Sequence, residues 1–321
     1  MLGVLFRPAS GAPPFGRQHL FFTELAAAAR ARGTEVFCFA PPSRLSGPVP
    51  GWSLRGQGWR PAERLFLNVV YDRFLPRSRA ERQAHRECLG TLAGQGVALF
   101  NPPELQGLLS DKWRFSQWLG KCGLPMVPHL TLDQARPQLL VASSGGYFLK
   151  PRFGFGGAGI GYLELTPDGA SLIRLGGGGP ASTFHDRQAL MAQLEAVNAH
   201  QELLLSPEVK GPGIQGRIFD VRLLLQRPSP GAGYRCIGFL RLGAPGQLIS
   251  NLARGGRALP MEALARFPGL QQVPAALDGL CGRLVVELGE DFGSWAEIGL
   301  DWLIDHEGCP RLLEANAKPA R

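Results

Sequence analysis

Three oxygen-bearing side chains near the end of the chain are spaced so that they could gather around one cation: Asp301 in GLDWLID, then Glu314 and Asn316 in LLEANAKPAR. Apolar runs on either side of HEGC predict a hairpin turning at His306 to Gly308. In such a hairpin Asp301 and Glu314 fall nearly opposite one another, and the strand period of two puts Glu314 and Asn316 on one face. Hard oxygen donors of this kind suit Mg2+, which keeps several waters and completes its shell from substrate phosphates. A half-exposed hairpin with its polar residues outward explains the same letters, and the residues alone leave both readings open.

Four further stretches carry groups that could handle anions. In FLKPRFGFGGAGI, Lys150 ends an apolar strand, and Gly154, Gly156, Gly157 and Gly159 follow. Without Cβ atoms in the way, backbone N–H groups in such a loop can approach phosphate oxygens. The run is neither GxxxxGK[ST] nor a strand–GxGxxG–helix fingerprint, because a strand follows it. A tight turn remains the other reading. In FDVRLLLQR, Asp220 and Arg222 share a strand face, either as a salt-bridged edge or as an arginine oriented by the aspartate toward a phosphate or carboxylate. SNLARGGRA places Asn251 and Arg254 before Gly255-Gly256, a loop that closes over an anion or simply turns. QELLLSPEV sets Glu202 before an apolar run and Glu208 after it. No Ser-His or Cys-His pair suggests a side-chain nucleophile.

The elements that must position these groups change character along the chain. LGVLF, a helical stretch RQHLFFTELAAAARARG stopped at Gly33, and TEVFCFA read as β–α–β, the start of a parallel sheet. The Pro/Gly-rich run that follows reads as a loop with room for a short hairpin around Trp52 and Trp59. RLFLNVVYDR, a helix near 78–93 and VALFN complete a first domain. SDKWRFSQWLGKCG reads as a helix capped by Ser110 or Asp111 and closed by Gly123, and LPMVPHLTL as an extended linker. From Gly145 onward GYFLKP, ELLLSPEV, FDVRLLLQR and YRCIGFLRLG look like antiparallel strand pairs, with one or two helices in LARFPGLQQVPAALDGLCGRLVVELG.

At 321 residues, 45% hydrophobic and 19% charged, the chain is long enough for two cores and too apolar to be disordered. No apolar run reaches membrane-spanning length and the start lacks a secretory signal, so a cytoplasmic location is expected. Six scattered cysteines without a CxxC read as buried reduced thiols. The net charge of +8 comes from dispersed arginines rather than one basic block, so nucleic acid is not an expected partner.

Taken in order, the Lys strand with its glycine loop, the Glu-apolar-Glu run, D-x-R, N-x-x-R-G-G and D-x12-E-x-N resemble the ATP-grasp superfamily. FNPPELQGLLSDKWRFSQWL, FLKPRFGFGGAGI, FDVRLLLQR and LLEANAKPAR are similar to the YheC/YheD family, ATP-grasp proteins associated with endospore coats. The resemblance implies an α/β fold. An N-terminal parallel α/β domain of pre-ATP-grasp type would occupy residues 1–108. A two-lobed α+β ATP-grasp domain with antiparallel sheets would occupy 109–321, with a central lobe near 125–205 and a C-terminal lobe near 206–321.

It also implies roles. Lys112 and Lys150 would contact ATP, under a loop running from Gly154 to Gly159. Glu202 to Leu205 would hold adenine, with main-chain bonds from Leu203 and Leu205, and Glu208 would hold the ribose hydroxyls. Asp301, Glu314 and Asn316 would bind Mg2+, with Mn2+ as a substitute. Arg222 and Arg254 would face the transferred phosphate and the acyl group. The implied reaction activates a carboxylate as an acylphosphate for attack by an amine. Its partners would be ATP, a small carboxylate or peptide and, in a spore-associated setting, spore coat proteins. The alternative is a nucleotide-binding, coat-associated structural protein with little or no turnover. Superfamily members continue past E-x-N, whereas here only two residues follow Lys318-Pro319. Lys318 stands where many of these ligases have a small residue, and is expected to alter or occlude the acceptor pocket.

Overall fold

The computed structural model describes residues 1–42, 47–56, 58–154, 157, 159–174, 182–227, 233–250, 252 and 255–319. Its contacts define two compact units. The first comprises Met1–Leu105, Ser294–Glu297 and Lys318–Arg321; the second comprises Gln106–Gly293 and Ile298–Ala317.

The first unit is built on short apolar strands. β1 (Leu2–Leu5) is followed by α1 (His19–Arg30), β2 (Val36–Phe39), β3 (Val49–Arg55), β4 (Gly58–Arg64), β5 (Val69–Asp72), α2 (Arg79–Gly94) and β6 (Ala98–Phe100). β1 runs parallel to β2 and β5, and β5 parallel to β6. Such strands read as nearly continuous hydrophobic runs because helices cover both faces of the sheet. Val4, Phe6, Phe22, Val36 and Trp59 fill one side, while Leu5, Phe37, Phe39, Val70 and Leu92 fill the other. The excursion around Trp52 and Trp59 is more regular than a loop with a short hairpin. β3 and β4 are seven residues each and extend the sheet antiparallel beyond β2. Gly51 permits that approach, since a Cβ there would lie 2.4 Å from the carbonyl oxygen of Cys38.

The last residues of the chain complete this unit. Tyr71 donates to Glu297, and Arg73 donates to the carbonyl of Pro319 at 2.8 Å. Asn101 accepts from the Ala296 N–H at 2.7 Å and donates to the Glu297 carbonyl at 2.6 Å. The ammonium of Lys318 lies 2.7 Å from both the Asp72 carboxylate and the Phe74 carbonyl. Its charge is thus engaged inside the first unit.

α3 (Pro103–Ser110) starts in the first unit and ends in the second. There follow α4 (Lys112–Lys121), β7 (Leu130–Thr131), α5 (Leu132–Val141), β8 (Gly145–Pro151), β9 (Gly161–Thr166), β10 (Gly169–Arg174), β11 (Ser182–Phe184), α6 (Arg187–His200) and β12 (Leu203–Pro207). Their sheet has the order β11-β10-β9-β8-β12-β7 with antiparallel pairings. α5 and α6 cover one face, packing Leu132, Leu139, Leu190 and Leu194 onto Leu149, Leu163, Leu203 and Leu205.

The remaining elements are β13 (Phe219–Gln226), β14 (Arg235–Leu242), β15 (Arg257–Pro260), a 3-10 turn over Met261–Arg266, α7 (Val273–Phe292), β16 (Glu297–Ile304) and β17 (Pro310–Asn316). They form a five-stranded sheet ordered β15-β14-β13-β16-β17, with antiparallel pairs at β13–β14, β14–β15 and β16–β17. α7 turns a stripe of Leu277, Cys281, Leu284 and Leu288 inward, the spacing of an amphipathic helix. Among the described residues no helix is long and apolar enough to cross a membrane.

Candidate functional site

The expected C-terminal hairpin forms, and Asp301 pairs directly with Glu314 while Gly299 pairs with Asn316. One feature of it has no sequence signal. The register slips between Asp301 and Trp302, so that Trp302 faces Leu312 and Leu313 is the extra residue of a bulge. Without that bulge, regular alternation would put Glu314 on the inward face of Pro310 and Leu312. With it, Leu312 and Ala315 are buried, while Glu314 and Asn316 turn to the other face.

Two lysines meet this pair of carboxylates within the second unit. Lys150 ends β8, is buried, and interacts with Glu314, Lys112 and Asp301. Burial pushes its pKa down to about 8, against the pull of Glu314. Lys112, at the start of α4, donates to the carbonyls of Gly154 (2.7 Å) and Pro151 (3.3 Å). Burial lowers its pKa as well, with Glu314 and Asp111 opposing the shift. Burial raises Glu314, and the facing Asp301 adds to the effect while Lys150 and Lys112 oppose it. Two carboxylates held face to face in a desolvated corner repel each other, and either a proton or a cation between them relieves that repulsion.

Lys112, His129, Gly154, Glu314 and Asn316 line a small indentation here. Sequence reasoning missed His129, which lies in the segment read as a linker. It is buried, its Nδ1 lies 2.6 Å from the Ser206 hydroxyl, and burial beside Lys150 and Lys112 lowers its pKa to about 3. The imidazole is therefore neutral at ordinary pH and adds no third positive charge to the corner.

The root of the glycine-rich loop is tied to α4. Asp111 caps the helix by accepting from the Arg114 N–H, and pairs bidentately with Arg152 at 2.8 and 2.6 Å. The Arg152 guanidinium also sits over the rings of Trp113 and Phe153, 5.1 and 5.3 Å from their centroids. Gly157 and Gly159 have φ of 74° and 71°, conformations that favour glycine; Gly156 lies outside the described residues. Asp111→Ala removes a cap and a charge-assisted pair together, so a loss of roughly 2 kcal/mol in urea unfolding is expected. Asp111→Asn keeps the cap and should lose about half as much. Equal losses would mean that the cap contributes nothing, and no loss in Asp111→Asn would mean the same of the Arg152 pair.

Pairing of Leu204 with Lys150 puts Leu204 on the lysine's face, while Leu203 and Leu205 point into the helix-covered core. The Leu203 N–H donates to Asn198, and Leu205 is bracketed by ladders to β8 and β7. Glu202 pairs with Arg152 at 3.4 Å. Glu208 lies beyond the strand, where its carboxylate accepts from the Tyr162 hydroxyl at 3.1 Å. Gly146 makes room for both, because a Cβ there would be 2.4 Å from each of those oxygens.

One correction concerns Asp220. It shares a strand face with Arg222, as read, yet it orients a different arginine. Arg241, directly opposite on β14, donates to it at 2.6 and 2.7 Å, and Ser250 donates to it as well. Burial raises Asp220 to about 6, against the pull of Arg241. Arg222 instead donates to Asp301 Oδ1 at 2.5 Å, and Arg241 reaches the same oxygen at 3.0 Å. Asp301 therefore sits between two guanidiniums and Glu314. Arg241 had been passed over as an ordinary strand residue. Arg254 and Asn251 lie outside the described residues.

Comparison with known proteins places this geometry in context. A family described as YheC/D-like ATP-grasp matches residues 99–321. The endospore coat-associated protein YheD of Bacillus subtilis (strain 168) is 24% identical over 325 residues, covering 96% of this chain and 69% of that protein. Among solved structures, D-cycloserine synthetase DcsG superposes with a TM-score of 0.60 at 16% identity, over 100% of this chain and 92% of that one. The ATP-grasp ligase PsnB, in a complex with a phosphomimetic precursor variant, Mg and ADP, gives a TM-score of 0.53 at 15% identity, over 99% and 88%. At these identities the likeness establishes a shared fold.

Proposed function

Because the chain belongs to the YheC/D-like ATP-grasp family, we propose that it is an ATP- and Mg2+-dependent ligase that forms an acylphosphate from a carboxylate for attack by an amine. The observation that carries the reading is the convergence of Lys150, Lys112, Asp301 and Glu314 on one corner, with Arg222 and Arg241 behind Asp301.

The paired carboxylates fit a hard divalent cation. Asp301, Glu314 and Asn316 would hold Mg2+, or Mn2+ through the same oxygens, and the ion would neutralise phosphate oxygens as charge develops on them. Lys150 and Lys112 bind the phosphates. The Lys112 ammonium moves from the Gly154 carbonyl to do so, while the loop of Gly154, Gly156, Gly157 and Gly159 folds over them. Glu208 takes the ribose hydroxyls. The base lies against Lys150's face of β12, where Leu204 and Ser206 stand, with Glu202 at the strand's start. Arg222, held by Asp301, and Arg254 steady the transferred phosphoryl and the acyl oxygen. None of these roles needs a side-chain nucleophile.

The name of the Bacillus relative supports proposing a spore-coat setting, with coat proteins as partners and a small carboxylate or peptide as substrate. It also supports the second reading, a nucleotide-binding coat protein with little turnover. Steady ADP release stimulated by one amino acid or peptide in a screen decides for the ligase; binding without release decides for the coat protein. Calorimetry with ATP and Mg2+ tests the common premise. Glu314→Gln is expected to weaken Mg2+-dependent nucleotide binding about tenfold, whereas Cys309→Ser in the hairpin turn leaves it unchanged. Equal effects would reduce the hairpin to a structural element.

A further inference from the structure

The six cysteines, read as buried reduced thiols, are all free, but only Cys38, Cys88 and Cys281 are buried, and Cys236 and Cys309 are exposed. One exposed thiol has a buried partner. Just before β14, the Tyr234 hydroxyl reaches both the main-chain carbonyl and Oδ1 of Asp278 on α7, each at 3.3 Å. A side chain at Gly282 on the next helical turn would come within 3.8 Å of the same hydroxyl. Two residues along the strand, on the face of Tyr234, stands Cys236; three residues along the helix, on the face of Asp278, stands Cys281. The two steps cover about 6.7 Å of strand and about 4.5 Å of helix. Cys236 and Cys281 therefore flank the Tyr234–Asp278 contact, and the two thiols act directly on one another.

We propose that Cys236 and Cys281 form a reversible disulfide by exchange with a small-molecule disulfide such as glutathione disulfide. The exposed Cys236 thiolate attacks one glutathione sulfur, breaking the S–S bond and releasing one glutathione thiolate. Cys281 then loses its proton and attacks the Cys236 sulfur, expelling the second glutathione. The protein dithiol is oxidised by two electrons and glutathione disulfide is reduced to two thiols, so the exchange balances without another oxidant. The two cysteines differ as this order requires. The bond from Cys281 holds the Cys236 thiol below its ordinary value, and the same interaction, with burial, pushes Cys281 up. The bond pins α7 to β14, and with it closes the stretch of sequence that includes Arg241 and Arg254. The dithiol is independent of the nucleotide reading and survives its failure.

The test uses the full chain in glutathione redox buffers, with free thiols alkylated before tryptic mapping. Oxidation is expected to link peptide Cys236–Arg241 to Phe267–Arg283 with the loss of two hydrogens, and reductant should reverse it. The oxidised wild type should melt higher than the reduced one. Cys236→Ser abolishes both effects, and Cys309→Ser abolishes neither. Two results overturn the proposal: glutathione retained on Cys236 while Cys281 stays alkylatable, or a linked peptide that forms only in denaturant.

Discussion

Lys150→Met is expected to weaken Mg-ATP binding about 100-fold, about 2.7 kcal/mol, while leaving the melting temperature near that of the wild type. The two outcomes separate because of where the ammonium sits. Lys150 is buried, and its pKa is already depressed to about 8 by desolvation. The folded protein therefore gains little from the charge, and an unbranched side chain of similar length fills the same space. A polyanion arriving in that corner gains much more, because the charge acts in a water-poor site. The pH dependence has a fixed sign. The cationic form predominates below about 8, so affinity in the wild type should fall as pH rises from 7 to 9. In Lys150→Met that slope should vanish. Calorimetric titrations at three pH values measure both. Unchanged affinity in the variant would remove Lys150 from the site; a collapsed melting curve would show that the ammonium is structural.

Lys318→Met should cost about 3–5 kcal/mol of stability, as stranding a buried carboxylate does. The Asp72 side chain is 0% accessible and is held by Lys318 at 2.7 Å, His85 at 2.8 Å and the Phe74 N–H at 3.0 Å. Burial alone would raise its pKa; Lys318 and His85 outweigh that and leave it lowered. A carboxylate lowered in the folded state contributes stability above its unfolded value, near 3.9, and that stability is lost as pH falls through the folded value. The deficit of Lys318→Met should accordingly be largest at neutral pH. It should shrink as pH falls and the stranded Asp72 carboxyl takes up a proton. The double variant Asp72→Asn, Lys318→Met removes both charges and should recover most of the loss. Urea midpoints at constant m-value report all three proteins. A single variant as stable as the wild type would show that Asp72 does not need its ammonium.

How much of this was legible in the sequence depended on how local the signal was. The hairpin carrying Asp301 and Glu314 could be read from letters, since its turn and its strand period are local. The bulge at Leu313 could not, because it is imposed by packing of Leu312 and Ala315 against the sheet. β1, β2 and β5 announced themselves as apolar runs, whereas α5, with Pro137 inside it, and α6 were missed: their apolar residues become a stripe only against Leu149 and Leu163. Asp220 was correctly placed on Arg222's face, but its partner is fixed by the β13–β14 register, which brings Arg241 opposite. His129 and Ser206 lie far apart in sequence and meet only in the fold.

The first unit takes in Ser294–Glu297 and Lys318 as well as the first 105 residues. Domains made early in translation usually fold as they emerge from the ribosome. Here a nascent chain of 105 residues would bury Asp72 without Lys318 and would leave Arg73, Tyr71 and Asn101 without Glu297. The unit that begins with β1 can therefore be finished only after the chain through residue 318, and with it the whole of the second unit, has been made.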